Sequence, residues 1–261
     1  VPLCPAQRTY DSNSPCPTLG RHYMVSLDGD PFVAQQLIQS LGELNMTRPQ
    51  KPNFLFIQTD QMTAFALSHY GNPVVKTPNL DKLAARGVVF QNAYCNNPIC
   101  ASSRFSMMSG QLSSRVGAYD NAAEFPAQVP TFAHYLVDQG YHTCLSGKMH
   151  FVGPDQLHGF QERVTTDIYP SDFGWTPDWL AEGHQLPPSG MSMRSVVEAG
   201  ISERSLQIDY DEEACHQAEV KLWDYARNSP DQPFFLAVSF THPHNPFTTQ
   251  SKYWNLYDHD K

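Results

Sequence analysis

The chain has 261 residues, of which 41% are hydrophobic, and it carries a formal net charge of −9. This composition excludes a disordered chain, because there is enough apolar surface for the core of an α/β domain. The negative charge argues against a nucleic-acid partner or an anionic membrane, and no apolar run in the sequence approaches the length of a membrane span.

The cysteines bear on the redox environment of the protein. Six of them are scattered along the chain, without a Cys-x-x-Cys pair and without the dense spacing of a disulfide framework. The first residues show no pattern of charged, apolar and small segments typical of a signal peptide. We therefore expect a reducing, cytoplasmic location.

The first 50 residues differ from the rest in composition. They are rich in Pro, Ser, Gly and Cys up to about residue 30, and residues 32–44 then show one modest helical pattern. Met46 resembles a translation start ahead of the first strand. The sequence thus predicts an N-terminal extension, residues 1–50, outside a catalytic fold formed by residues 51–261.

Strands and helices alternate after this extension. Residues 54–57 form a continuous apolar run, which predicts a strand buried on both faces of a parallel sheet. Residues 77–87 predict a helix with a proline in its first turn and a glycine at its end. We expect a second strand at residues 88–93.

The alternation continues to the end of the chain. A helix at 131–139 and a strand at 141–145 precede irregular loops at 151–208, and an amphipathic helix at 211–227 leads to a fully buried strand at 234–240. This order predicts an α/β fold in which a mainly parallel central sheet is flanked by helices.

Polar side chains that could carry chemistry follow four of the predicted strands. They are Asp60, Cys100 with Arg104, Lys148 with His150, and His242 with His244. Parallel strands place such residues along one edge of the sheet. A carboxylate that holds a divalent cation, together with fixed cations and histidines, suits sulfuryl or phosphoryl transfer. The alternative for each is structural: a capping aspartate, a solvated lysine or a hydrogen-bonded histidine.

Cys100 stands where a loop is predicted to lead into a short helix, and Arg104 follows one turn later on the same face. Because a helix N-terminus favours an anion, we expect the pKa of this thiol to be lowered. The alternative is a buried, inert cysteine beside a surface arginine.

Several motifs resemble the type I sulfatases of the alkaline-phosphatase-like superfamily. They are Cys-x-x-x-Arg at 100–104, Ser-Met-Met-Ser-Gly at 106–110, Gly-Lys-x-His at 147–150 and Pro-His-x-Pro at 243–246. The segments 119–124, 145–160, 165–170 and 173–177 resemble the choline sulfatase branch more closely. The resemblance begins at about residue 52 and implies the sulfatase-like fold and hydrolysis of a sulfate ester, most specifically choline sulfate to choline and sulfate.

The resemblance also implies catalytic roles. Cys100 would be the precursor of formylglycine, whose hydrate attacks sulfur, and Arg104 would hold that residue. Asp60 and the modified Cys100 would bind a divalent metal, most often Ca²⁺, with Mg²⁺ or Mn²⁺ as alternatives. Lys148 and His150 would bind the sulfate and assist its departure.

The substrate side of the site follows from the same resemblance. His244 would bind sulfate or assist the leaving group, and His242 is a weaker choice for that role. Asn121 and Trp175 would lie beside the substrate, where a tryptophan face suits a quaternary ammonium group. The alternative for Trp175 is an aromatic side chain that anchors a loop in the core.

The chain departs from the family pattern at some positions. Ser102 stands where most members have proline, and Gln61 replaces a second aspartate, as in the choline branch. The family's second metal-binding pair and a later lysine do not occur, so we expect a catalytic domain that is incomplete at its C-terminus.

The resemblance implies partners as well. These are a small sulfate ester, a formylglycine-generating or other sulfatase-maturing enzyme, and further copies of the full-length protein in a homo-oligomer. The remaining alternatives are an aryl sulfatase, a phosphonate or phosphate ester hydrolase on the same scaffold, and an inactive anion-binding fragment.

Overall fold

The computed structural model describes residues 51–168 and 193–259, and all structural statements below concern these residues. The predicted extension at 1–50 and Trp175 lie outside the described residues, so the predictions made for them stay predictions.

A parallel sheet forms the centre of the described chain. Its strands are β1 (Phe54–Gln58), β2 (His142–Gly147), β3 (Glu162–Arg163) and β5 (Phe234–Ser239), in the order β1-β5-β2-β3. The short strands β4 (Gly200–Ile201) and β6 (Thr248–Thr249) form a separate parallel pair. The predicted α/β class with a mainly parallel sheet is confirmed.

Helices connect and cover these strands. The α-helices are α1 (Pro78–Ala84), α2 (Cys100–Ser109), α3 (Ser113–Val116), α4 (Phe132–Asp138), α5 (Arg194–Val197), α6 (Leu206–Asn228) and α7 (Ser251–Trp254), with 3₁₀ turns at Ala64–Ala66 and Ser68–Tyr70. Of the helices that the structure describes, none has both the length and the apolar character needed to cross a bilayer.

The core lies on both faces of the two central strands. On β5, Phe235 and Ala237 belong to one buried cluster, whereas Leu236 and Val238 belong to another. Successive side chains of a strand point to opposite faces, so this alternation means that both faces of β5 are covered. Burial on both faces explains why the sequence of β5 is a continuous apolar run.

Strand β1, unlike β5, is not buried on both faces. Leu55 is 48% exposed and Ile57 is 59% exposed, so the prediction of a strand buried on both faces is wrong for β1. The physical reason is its position, because β1 is the outermost strand of the described sheet and pairs only with β5. Phe56, on the other face, packs against the larger core cluster.

Three further predictions about elements need correction. Residues 88–93 are not a strand: no described strand pairs with them, and Val88 and Phe90 are 81% and 69% exposed. The predicted loops at 151–208 contain β3, α5 and β4. Helix α6 begins at Leu206, before the expected residue 211, because the Ser205 side chain accepts a hydrogen bond from the Ile208 amide and caps it.

Candidate active site

The carboxyl ends of three strands meet at one level of the sheet. Gln58 of β1 pairs with Ser239 of β5, and Ser239 pairs with Gly147 of β2. The segment that follows each of these strands carries a predicted site residue. We call residues 148–152 the β2 loop and residues 241–245 the β5 loop.

Asp60 is the centre of a buried cluster of charges. Its Oδ2 atom lies 2.5 Å from Lys148 Nζ and 3.3 Å from an Arg104 guanidinium nitrogen. Asp60 is 6% exposed and Lys148 is fully buried. Burial alone would raise the pKa of Asp60, but Lys148 and Arg104 outweigh it and hold that pKa below its ordinary value. The carboxylate is therefore an anion with two cationic partners.

Arg104 joins the strand ends to one another. It donates hydrogen bonds to the Lys148 carbonyl at 2.6 Å and to Ser239 Oγ at 2.9 Å, and it contacts Gln58 Oε1 at 3.3 Å. Arg104 is only 2% exposed, so the alternative of a surface arginine is wrong. Because a buried cation without partners is costly, this network fixes the guanidinium beside Asp60.

Cys100 is the first residue of α2, and its Sγ lies 3.4 Å from Asp60 Oδ1. The pKa of this thiol is raised, first by burial and then by the neighbouring carboxylate, and the opposing effects of Lys148 and Arg104 do not reverse the shift. The prediction of a lowered pKa is wrong, because burial and Asp60 disfavour the thiolate more than the two cations favour it. At neutral pH the thiol is protonated and donates to Asp60.

His150 lies in the β2 loop and is 1% exposed. Its Nε2 donates to the carbonyl of Asn121 at 3.1 Å, and burial together with Lys148 lowers its pKa. Asn121 Oδ1 also accepts a hydrogen bond from the Ala101 amide at 2.9 Å. The observed contacts of Asn121 thus link the β2 loop to the first turn of α2, and its predicted place beside the substrate stays a prediction.

The two histidines of the β5 loop have different partners. His244 offers a ring nitrogen close to Asp60 and Cys100, within a group whose ligand atoms all lie within 4.8 Å of one another. Its Nδ1 donates to the Asn245 carbonyl at 2.8 Å, and burial lowers its pKa. The ring of His242 is instead bound to Asp211 of α6, with 2.7 Å between Nδ1 and Oδ2.

Asp60 and residue 100 fit the start of a metal site. Asp60 offers a carboxylate oxygen, and residue 100 would offer an oxygen once converted to formylglycine, whereas His244 presents a ring nitrogen beside them. A calcium ion takes 6–8 oxygen ligands, so more ligands would be needed than this described group provides. Sequence analysis predicted Asp60 and Cys100 as metal-binding residues, and His244 lies beside them in the structure.

An open cavity of about 350 Å³ reaches Asp60 and Cys100. Arg104 also lines it, together with Gln61 and the exposed Cys95. Asp60, Arg104 and Cys100 therefore face this cavity, whereas Lys148 is fully buried behind them.

Sequence reasoning missed two carboxylates that hold the loops of the site. Asp167 Oδ2 accepts hydrogen bonds from the amides of Met149 at 3.1 Å and Phe151 at 3.2 Å, and it pairs with Arg163 at 2.8 Å. Asp211 binds the β5 loop in a comparable way. The only signal for Asp167 was its place in the segment 165–170, and Asp211 looked like an ordinary polar residue of a helix.

Comparison with known proteins shows the family of the chain. The Sulfatase family model matches residues 52–261, so the chain belongs to the sulfatase family. It is 48% identical over 211 residues to choline-sulfatase of Rhizobium meliloti (strain 1021), a match that covers 80% of this chain and 41% of that protein. It is 31% identical over 219 residues to arylsulfatase A of Bos taurus, covering 77% of this chain and 43% of that protein.

Solved structures show the same fold. The phosphonate monoester hydrolase of Agrobacterium radiobacter superposes with a TM-score of 0.57 at 24% identity, over 81% of this chain and 45% of that chain. The predicted alkaline-phosphatase-like architecture is confirmed. The chain spans about two fifths of the length of the curated relatives described above.

Proposed function

We propose that the protein containing this chain hydrolyses a sulfate ester, and that the ester is choline sulfate. The observation that carries the proposal is the buried group of Asp60, Lys148 and Arg104 beside Cys100 and His244, with Asp60, Arg104 and Cys100 lining an open cavity. Membership of the sulfatase family supports the reaction class. The 48% identity to a choline-sulfatase supports the choice of ester.

Cys100 itself is a poor nucleophile in this setting. Its raised pKa keeps the sulfur protonated at neutral pH, and a thiol reacts through its thiolate. We propose that a sulfatase-maturing enzyme converts Cys100 to formylglycine. Hydrated formylglycine would supply an oxygen nucleophile for sulfur, and a divalent cation at Asp60 and residue 100, proposed to be Ca²⁺, would supply positive charge opposite the sulfate oxygens.

The fixed cations of the chain have a clear electrostatic role. Lys148 and Arg104 hold two positive charges beside the nucleophile position without needing to move, because both are already bound within the fold. Preorganised charges of this kind stabilise the negative charge on the oxygens of a transferring group. Binding of the sulfate and neutralisation of its oxygens are therefore the roles proposed for both residues.

The two histidines receive different roles in this proposal. Burial lowers the pKa of His244, and its Nδ1 hydrogen is donated to Asn245, so Nε2 carries a lone pair and no proton. It would first accept the proton that hydrated formylglycine at residue 100 loses on attacking sulfur, and would then donate that proton to the leaving oxygen. His150 is neutral as well, and its Nε2 hydrogen is donated to Asn121. We propose that His244 assists the leaving group and that His150 helps to bind the sulfate.

Peptide mass spectrometry across residue 100 of the full-length protein tests the nucleophile. We expect formylglycine there, with turnover lost in Cys100→Ala. An unmodified thiol in an active enzyme would overturn the proposed nucleophile, and this result matters because Ser102 replaces the proline of most sulfatases.

Turnover of choline sulfate, an aryl sulfate and a phosphonate monoester tests the substrate. We expect choline sulfate to have the highest kcat/KM. A preference for either other ester would replace the proposed substrate, and no hydrolysis of any of them by the matured full-length protein would reject the proposed reaction.

A further inference from the structure

Helix α6 holds the β5 loop through one carboxylate. Asp211 Oδ1 accepts hydrogen bonds from the Thr241 amide at 2.6 Å and from Thr241 Oγ1 at 2.9 Å. Asp211 Oδ2 accepts from the His242 amide at 2.9 Å and from His242 Nδ1 at 2.7 Å. Both oxygens of a single side chain thus bind the two residues that lead to His244.

The chemistry of these four contacts requires an anion. Backbone amides can only donate, and an ionised carboxylate is a group that can only accept. Burial would raise the pKa of Asp211, whose side chain is 14% exposed, but the hydrogen bonds from His242 and Thr241 keep that pKa below its ordinary value. An asparagine of the same shape would direct an N–H donor at other donors.

A second residue of α6 reaches the other end of the same loop. Gln207 lies one turn before Asp211, on the same face of the helix, and is 6% exposed. Its Nε2 donates to the Asn245 carbonyl at 2.9 Å, which is the same oxygen that accepts from His244 Nδ1. The amide of His244 donates to the Thr241 carbonyl at 3.0 Å and closes the turn.

We propose that Asp211 is a positioning residue that acts through His244. By holding Thr241 and His242 while Gln207 holds Asn245, α6 fixes the turn that brings the His244 ring beside Asp60 and Cys100. The inference deepens the proposed sulfate ester hydrolysis and rests on it for its catalytic consequence. The contrasting view is that Asp211 only stabilises the packing of α6 on the sheet.

Amide hydrogen exchange tests the positioning without any need for activity. In the full-length protein, Asp211→Asn should raise exchange in the β5 loop by about tenfold or more, because a charge-assisted bond to two amides is lost. Exchange in the β2 loop should stay unchanged. The matched control is Asp209→Asn, two residues away, where an exposed carboxylate pairs with the exposed Arg204. Unchanged exchange in the β5 loop would overturn the proposal.

A double-mutant cycle tests whether Asp211 acts through His244. With a sulfate ester substrate, Asp211→Asn alone should lower kcat by about 10–100-fold with little change in KM. In a His244→Ala background the same substitution should cost less than about threefold, because its target is already gone. Losses that simply multiply would show a structural role only and overturn the proposal.

A second variant and the activity of the wild-type protein separate the remaining outcomes. If Asp211→Asn does not fold, Gln207→Leu removes the other α6 contact, and we expect the same faster exchange in the β5 loop and the same non-additivity with His244→Ala. Wild-type protein that hydrolyses no sulfate ester would reject the proposed function, whereas the exchange comparison would still show whether Asp211 fixes the loop.

Discussion

The β2 loop and the β5 loop follow adjacent parallel strands, yet the protein builds them differently. All residues of the β2 loop are buried, and its amides bind Asp167, whose carboxylate is paired with Arg163. Most residues of the β5 loop are half-buried, and its amides bind Asp211 of α6. The β5 loop also borders a cavity of about 570 Å³ through His242.

The difference separates two tasks. The β2 loop places charge, since Lys148 lies where solvent cannot weaken its field. The β5 loop carries His244, the residue proposed for proton transfer, at the edge of the interior. Both loops use a carboxylate to bind backbone amides, and we infer that each proposed catalytic side chain is positioned by a residue that does not touch the proposed reaction.

Loss of charge from the β2 loop should have the largest effect. Lys148→Met removes the cation nearest to Asp60 and leaves that carboxylate with Arg104 alone. We expect kcat to fall by about 10²–10³-fold, as for other preorganised charges at a reacting group. Steady-state kinetics of the full-length protein measure it.

Lys148→Arg is the matched control for this change. It keeps the charge but cannot reproduce the compact ammonium group, so partial recovery is expected. Turnover of Lys148→Met above about one third of wild type would mean that the β2 loop does not supply the charge that we assign to it.

Loss of the β2 anchor should have the next largest effect. Asp167→Asn leaves Arg163 without its ionic partner and gives the amides of Met149 and Phe151 a weaker acceptor. We expect kcat to fall by about 10–100-fold. The unfolding free energy should fall by about 3 kcal/mol, because a buried pair is broken.

The matched control for Asp167 lies nearby in the sequence. Asp155 also accepts hydrogen bonds from two backbone amides, those of Leu157 and His158, but its side chain is 32% exposed. Asp155→Asn should leave kcat within about threefold of wild type, in the range of losses at partly exposed groups. Equal losses at Asp155 and Asp167 would show that amide binding as such, rather than the β2 loop, is what matters.

These residues show what the sequence could and could not predict. The motifs and the order of elements predicted the strands β2 and β5 and the edge where Asp60, Cys100, Lys148 and His244 meet. They could not predict Asp167, because the amides that it binds lie 16 and 18 residues earlier in the chain and carry no sequence signal of their own.

The exposed strand β1 and the thiol of Cys100 were mispredicted for a related reason. The local sequence of β1 is as apolar as that of β5, and only the order of strands in the sheet decides which faces are covered. The pKa of Cys100 depends on Asp60, a residue 40 positions away that shares no local pattern with it. Tertiary neighbours thus decided both outcomes.

The contact between the carboxyl ends of strands β2 and β5 should have a smaller effect, mainly on stability. Gly147 has φ +98°, and a Cβ atom there would collide with the carbonyl oxygen of Ser239, which accepts the Lys148 amide. Gly147→Ala should therefore lower the unfolding free energy by about 3 kcal/mol, the sum of backbone strain and overpacking. Urea denaturation of the full-length protein measures it.

Gly110→Ala separates backbone strain from overpacking. Gly110 ends α2 with φ +67°, but a Cβ atom there would meet no atom within 4 Å. This variant should cost only the backbone strain, about 1 kcal/mol. Equal losses for the two variants would show that β2 and β5 are not as closely apposed at their carboxyl ends as the structure indicates.

The smallest expected effect comes from pH and the histidine that packs beneath the β2 loop. His158 is 1% exposed and packs at a tilt against Phe125 and Phe151, and burial lowers its pKa despite the nearby Asp155. The unfolded chain then binds a proton at a higher pH than the folded chain does. Stability should be full above the ordinary histidine pKa of about 6.5 and should decrease as the pH falls below it.

Each such histidine can contribute a slope of at most about 1.4 kcal/mol per pH unit between pH 6.5 and its folded pKa. The buried carboxylates Asp60 and Asp167 also have lowered pKa values, but their contribution is lost only below the ordinary carboxyl range, at about pH 4. The decrease between pH 7 and 5 therefore reports the histidines. Urea midpoints across this range should fall less steeply in His158→Gln than in wild type. An unchanged slope would mean that another buried histidine titrates in this range, with His150 of the β2 loop, whose pKa is lowered to about 4, as the next residue to vary.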